Sequence, residues 1–163
     1  MSIVLEPLNE SHATRLFELT EQNRNYLKTW LPWLDSVTKV EDTLHFIRAT
    51  VAQQSLINFV IVYKSNLCGI AGFNRIEENT GFIGYWLSEE YSGKGVMTEA
   101  VKQISELGFS KLLLNRIEIR CAEQNVKSYS IPERLGFKKE SIIIDAEWLY
   151  TKYVNHIVYS MSR

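Results

Sequence analysis

The run Tyr91-Ser92-Gly93-Lys94-Gly95-Val96-Met97-Thr98-Glu99-Ala100 places two of the chain's eight glycines around a lysine, just ahead of a helix-like pattern. The first turn of a helix carries backbone N–H groups without intrahelical acceptors and the positive end of the helix dipole. Glycines there let an anion approach the backbone closely, and phosphate is the usual anion. A nucleotide P-loop requires G-x-x-x-x-G-K-[ST], and a dinucleotide fingerprint requires G-x-G-x-x-G. Neither spacing is present, since Thr98 stands three residues beyond Gly95. The strand–Gly-x-Gly–helix turn that remains suits one pyrophosphate, or else a purely structural tight turn.

Three other groups could carry chemistry. Asn125 stands at a helix-cap position, three residues before Ser128. Pro132 has no N–H to offer the Ser128 carbonyl, so a helix spanning both is locally disrupted beside that hydroxyl. Ser128 is either a working hydroxyl or an ordinary capping or solvated serine. Glu147 lies in sequence among Ile142, Ile143, Ile144, Trp148 and Tyr150. Desolvation by such neighbours would raise its pKa and suit it as a base, whereas a strand-end surface charge is the plainer reading. Tyr26, Trp30 and Trp33 either line an acceptor pocket or plug the end of the core. His45 reads as a helix-surface residue, and Cys121 as core rather than nucleophile.

These residues must be positioned by a chain of 163 residues, 45% hydrophobic, which fits one domain, 1–163, with a substantial core. With 18 basic and 19 acidic residues the formal net charge is −1, which gives no electrostatic case for nucleic acid or an anionic membrane as partner. Two cysteines and three histidines make neither a disulfide framework nor a metal-ligand set. The first residues, MSIVLEPLNE, lack the basic start and apolar centre of a signal peptide, and no stretch reaches the ~18 apolar residues of a membrane span. The expected location is a reduced cytoplasm.

Hydrophobic periodicity predicts a strand over residues 3–8, a helix over 11–24 and a helix over 40–52. The nearly continuous apolar run Ile57–Tyr63 reads as a strand covered on both faces, joined by a hairpin to a strand over 67–74. A third central strand, 82–88, leads to the glycine turn. Met97, Ala100, Val101, Ile104 and Leu107 or Gly108 define one buried helix face. Ile117 to Cys121 alternates as a strand, a short helix from Ser128 to Leu135 stops at Gly136, and strands over 138–146 and 152–161 close the chain. The order predicts an α+β, or mixed α/β, domain with helices flanking one sheet.

Read together, the motifs resemble those of the GNAT N-acetyltransferases. Ser92-Gly93-Lys94-Gly95-Val96-Met97 is similar to their acetyl-CoA motif, Q/R-x-x-G-x-G/A. Asn125-Val126-Lys127-Ser128 with Ile131-Pro132-Glu133-Arg134-Leu135-Gly136-Phe137 resembles their second cofactor segment, N-x-x-S…LGF. Ala146-Glu147-Trp148-Leu149, the strand from Tyr153 to Tyr159 and Trp30-Leu31-Pro32-Trp33 resemble the branch that acetylates terminal serine or alanine of ribosomal proteins. Ser92 in place of Gln or Arg, and Met97 in place of Gly or Ala, depart from the pattern. Neither removes a backbone donor, and Met97 can point into the core.

The resemblance implies a mostly antiparallel sheet, splayed at the cofactor site, and direct acetyl transfer from acetyl-CoA to a primary amine without a metal. It assigns the pyrophosphate to the backbone of Gly93, Lys94, Gly95, Val96, Met97 and Thr98. Trp86, Leu87 and Ser88 would hold the pantetheine, with the Leu87 N–H toward the carbonyl oxygen, Asn125 would hydrogen-bond the pantetheine arm, and Ser128 would also contact the cofactor. Ser128 becomes the general acid, Glu147 the general base, and Trp30, Trp33 and Tyr26 the acceptor-binding residues. The implied acceptor is a protein N-terminus, and a homodimer is compatible with the branch. A GNAT acting on a small amine is the alternative, for which Glu77, Glu78, Glu89 and Glu90 could supply an acidic pocket. A catalytically silent acyl-CoA-binding module is the third reading, opposed by the presence of both Ser128 and Glu147.

Overall fold

The structure, a computed structural model, describes residues 1–54 and 56–163. Strand β1 (Ile3–Pro7) leads through a 3-10 turn, Glu10–His12, capped by Asn9, whose Oδ1 accepts from the Ser11 N–H at 2.9 Å. The helix expected over residues 11–24 is divided into α1 (Ala13–Gln22) and α2 (Arg24–Lys28). Asn23 interrupts it at φ −113°, ψ 12°, and its side-chain N–H donates to the Leu19 carbonyl at 2.9 Å. Asparagine favours breaks because its side chain competes for backbone hydrogen bonds. Helix α3 runs over Val40–Ala52, as its periodicity predicts.

Strands β2 (Ile57–Tyr63) and β3 (Asn66–Glu77) pair antiparallel, and β3 pairs likewise with β4 (Thr80–Leu87). Both hairpins turn on two residues with positive φ, Lys64 and Ser65 in one and Glu78 and Asn79 in the other. That geometry matches the twist of the flanking strands. In β2 only Val60 and Ile61 are fully buried and the flanking residues are partly exposed, so its cover is less complete than its apolar run predicts.

Helix α4 (Val96–Ser110) crosses over to β5 (Arg116–Ala122), which pairs parallel with β4. After α5 (Val126–Arg134), the long hairpin of β6 (Lys138–Leu149) and β7 (Lys152–Ser162) completes a seven-stranded sheet. Its order is β1-β2-β3-β4-β5-β7-β6. The larger core cluster lies under α4 and α5, where Val96, Met97, Ala100, Val101, Ile104 and Gly108 form the buried face of α4. A second cluster on the opposite face packs Leu16, Leu19 and Ile47 of α1 and α3 against Val60 and Ile70. Burying the sheet on both faces removes the most apolar surface from water and leaves the site to its open seam.

Candidate active site

The seam is created by β4 and β5. Their parallel pairing runs only from Thr80↔Arg116 to Ile83↔Ile119, although both strands continue. The sheet is therefore splayed beyond Ile83. On the other side β4 stays paired with β3, and the Ser88 N–H donates to the Cys68 carbonyl at 2.8 Å. Antiparallel ladders alternate, so the N–H of Trp86 also faces β3 while that of Leu87 points into the splay. Of the three predicted pantetheine residues, Leu87 has the outward donor. Asn23 fixes this strand end, its Oδ1 accepting from the Glu89 N–H at 2.9 Å and the Ser88 hydroxyl at 3.3 Å.

A 3-10 turn, Glu89–Tyr91, separates β4 from the glycine turn. Gly93 and Gly95 have φ of +75° and +80°, and Gly95 is the N-cap of α4. With no side-chain cap there, the N–H groups of Val96, Met97 and Thr98 have no intrahelical acceptor, the arrangement that suits an anion. The backbone thus fits a pyrophosphate. Met97 is buried in the core, so its departure from the motif leaves this backbone clear. Arg134, at the end of α5, donates to the Thr98 hydroxyl at 3.1 Å and brings a cation to the first turn of α4. Sequence reading missed it because only the packing of α5 on α4 brings it there; its one signal was a basic residue inside the quoted motif.

Asn125 caps α5, accepting from the Ser128 N–H, and Pro132 lies inside the helix. The Ser128 carbonyl that Pro132 cannot satisfy accepts from the Tyr85 hydroxyl at 2.8 Å. Tyr85 stands on β4 within the splay, and burial pushes its phenol well above the ordinary range, so it remains a donor. The Ser128 hydroxyl lies 3.5 Å from the Cys121 thiol, which burial also pushes up. Cys121 is a buried neutral neighbour rather than a thiolate nucleophile.

Ser128, Asn125, Trp86, Trp30, Trp33 and Glu147 all line one cavity of about 1140 Å³ that reaches from α1 and α3 to the start of α5. The register of β6 slips between Ile143↔His156 and Glu147↔Val154, a bulge that turns Glu147 toward His156, Oε1 to Nε2 3.4 Å. The expected apolar surroundings of Glu147 are not found. Ile142, Ile144 and Trp148 turn outward and are 43%, 68% and 52% exposed, because strand neighbours alternate faces and the bulge adds a further turn. Glu147 keeps a polar partner and partial contact with solvent.

The aromatic loop is fixed from both ends. Arg24 donates to the carbonyls of Leu34 and Val37, and the Tyr150 hydroxyl donates to that of Leu31. Trp33 faces Trp86 with ring centroids 6.5 Å apart. Tyr26 is not in the cavity wall; it faces Lys127, whose Nζ lies 5.1 Å from the ring, because the helical turn of α2 directs it toward α5. Glu77, Glu78, Glu89 and Glu90 are likewise absent from the wall. His45 is exposed on α3 at the cavity rim. Among the described residues no group of three or more His, Cys, Asp or Glu could hold a metal ion, and no helix is long and apolar enough to cross a membrane.

A splayed sheet, an uncapped glycine turn and a cavity holding a hydroxyl and a carboxylate define an acyl-CoA N-acyltransferase. The profile described as Acetyltransferase (GNAT) domain matches residues 2–138, and the chain belongs to that family. It is 31% identical to the ribosomal-protein-serine acetyltransferase of Escherichia coli strain K12, over 93% of this chain and 88% of the relative. Among solved structures it resembles RimL, a ribosomal L7/L12 alpha-N-protein acetyltransferase in complex with coenzyme A, at a TM-score of 0.95 and 25% identity, covering 99% of this chain and 94% of that one. It also resembles the microcin C7 self-immunity acetyltransferase MccE in complex with acetyl-CoA and AMP, at 0.93 and 30%, covering 99% and 92%. The protein is an acetyl-CoA-dependent N-acetyltransferase of the GNAT type.

Proposed function

We propose that the acceptor is the α-amino group of a protein N-terminus, a ribosomal protein being the first candidate, with cytoplasmic action to match. The observation that carries this reading is the meeting of Ser128 and Glu147 in one cavity walled by the pinned Trp30–Trp33 loop. Similarity to a ribosomal-protein-serine acetyltransferase and to RimL supports it.

Acetyl-CoA, when bound, supplies the acetyl group as a thioester. The uncapped turn from Gly93 to Thr98, with Lys94 and Arg134, holds the pyrophosphate, and Asn125 contributes to the pantetheine arm. The Leu87 N–H faces the carbonyl oxygen, where negative charge develops. Glu147 takes a proton from the amine as its nitrogen bonds to the carbonyl carbon. Ser128 gives a proton to the sulfur as the C–S bond breaks, so one proton is taken and one returned. An α-amino group has a pKa of ~7.7–8.0 against ~10.4 for lysine, so making lysine neutral near pH 7 costs about 3.5 kcal/mol more than making the α-amine neutral.

A polyamine acceptor would call for an acidic cavity, and the four glutamates named for it lie outside the wall. The deciding experiment follows thiol release from acetyl-CoA with Ser- and Ala-initiated peptides, polyamines and aminoglycosides, and locates the acetyl group by mass spectrometry. Acetylation at peptide α-amines is expected. Turnover confined to polyamines or aminoglycosides would overturn this reading, and CoA binding without turnover on any amine would favour a silent module.

A further inference from the structure

We propose that the cavity contains an anion-recognising subsite, formed by Arg75 and Arg120 on either side of Phe82, that binds an acidic group carried by the acceptor. The proposal rests on the α-amine reading above and goes on to the sequence class of the peptide.

The register of β3 against β4 slips between Phe73 and Arg75. Strict alternation would put Arg75 on the side of Phe73, in the core under α4. The bulge at Asn74 instead brings Arg75 onto the cavity face together with Asn74. Bulges beside active sites commonly re-aim a side chain in this way. The Arg75 guanidinium carbon lies 4.0 Å from the Phe82 ring centroid, and that of Arg120, from β5, lies 5.6 Å from the same ring. An aromatic face holds a guanidinium while leaving its N–H edge free for a carboxylate or phosphate.

The acidic groups of the wall already have partners. Asp42 accepts from the N–H groups of Thr38 and Lys39 at the start of α3. Glu118 accepts from Arg116 at 2.9 Å and from the Arg120 Nε at 2.6 Å, and Glu147 faces His156. Arg75 comes no closer to a carboxylate than 3.8 Å, to the exposed Glu77. Its donor fork is therefore available within the cavity, beside Arg120. In a peptide acceptor the matching group is an Asp or Glu side chain a few residues from the reacting amine; a phosphorylated side chain presents the same chemistry.

The test compares Ser-initiated hexapeptides that carry one Asp, one phosphoserine or no charge at positions two to five, by thiol release. The full-length protein is expected to favour one charged position over the neutral peptide by about tenfold or more in kcat/KM. In Arg75→Gln that ratio falls toward one, whereas Glu77→Gln, which removes the competing carboxylate, keeps or raises it. A higher ratio for Asp than for phosphoserine assigns the subsite to carboxylates, and the reverse order to phosphates. Equal rates for all peptides, or a preference that survives Arg75→Gln, would overturn the proposal. Calorimetry with the same peptides acetylated beforehand, titrated into the protein–CoA complex, needs no turnover. Arg75-dependent binding without acetylation of any free peptide would keep the subsite and defeat the α-amine reading, and charge-independent binding would defeat the subsite alone.

Discussion

The hydroxyl of Tyr85 donates a 2.8 Å hydrogen bond to the carbonyl of Ser128, the carbonyl that Pro132 leaves without its helical donor. One strand of the splay thereby completes the helix that carries the proposed acid. Tyr85→Phe keeps the ring and removes the donor. An unmet buried carbonyl costs about 1–3 kcal/mol. For a chain of this size each kcal/mol lowers Tm by about 2–4 °C, so calorimetric melting is expected to fall by several degrees. The variant is also expected to lose more turnover with a poor thiolate leaving group than with an activated acyl donor. A uniform loss for both donors would reduce Tyr85 to a purely structural role.

Glu147→Gln preserves shape but removes the proposed base. Single-turnover rates are expected to drop by about 10²–10⁴-fold with little change in CoA affinity, and the residual rate should climb with pH as more acceptor amine becomes neutral. Ser128→Ala is expected to slow the same step, least with an activated donor. Wild-type rates and pH profiles in both folded variants would disprove these roles.

Gly95 has φ +80° at the N-cap of α4, and a Cβ built there meets only the Met1 terminal methyl carbon, at 3.4 Å. The obstacle to a side chain is thus the backbone conformation. Left-handed φ in a β-branched residue costs of order 1–3 kcal/mol. Gly95→Val is expected to turn the free N–H groups away from the pyrophosphate and weaken CoA binding by about tenfold or more in isothermal titration. Unchanged affinity in a folded variant would move the pyrophosphate elsewhere.

Hydrogen bonds from Arg116 and then Ser160 lower the Glu140 carboxyl from 4.5 to about 2. A carboxyl with a depressed folded-state pKa stabilises the protein above its unfolded value and loses that contribution as pH falls through the folded one. The window is therefore between about 4.5 and 2. Melting temperature should decline less steeply over that window in Glu140→Gln than in the parent; parallel declines would show the pair contributes nothing to acid stability.

Features governed by neighbours in sequence were legible from it. Helix α3 and strand β2 fall where 3.6-residue and apolar patterning place them, Asn125 caps α5, and the glycine turn opens α4. Each depends on the dihedral preferences and side-chain spacing of a few consecutive residues. The apolar neighbours of Glu147 misled for a related reason: adjacency in a strand is not proximity, and a bulge in β6 sets Glu147 against His156 instead. Only tertiary structure could bring Tyr85 to Ser128, Arg134 to Thr98, Asn23 to Glu89 and Arg75 onto the cavity face. Those meetings depend on strand register, on where β4 parts from β5 and on how α5 packs against α4. Register and packing are decided by the burial of both sheet faces at once, a property of the whole chain that no local run of residues contains.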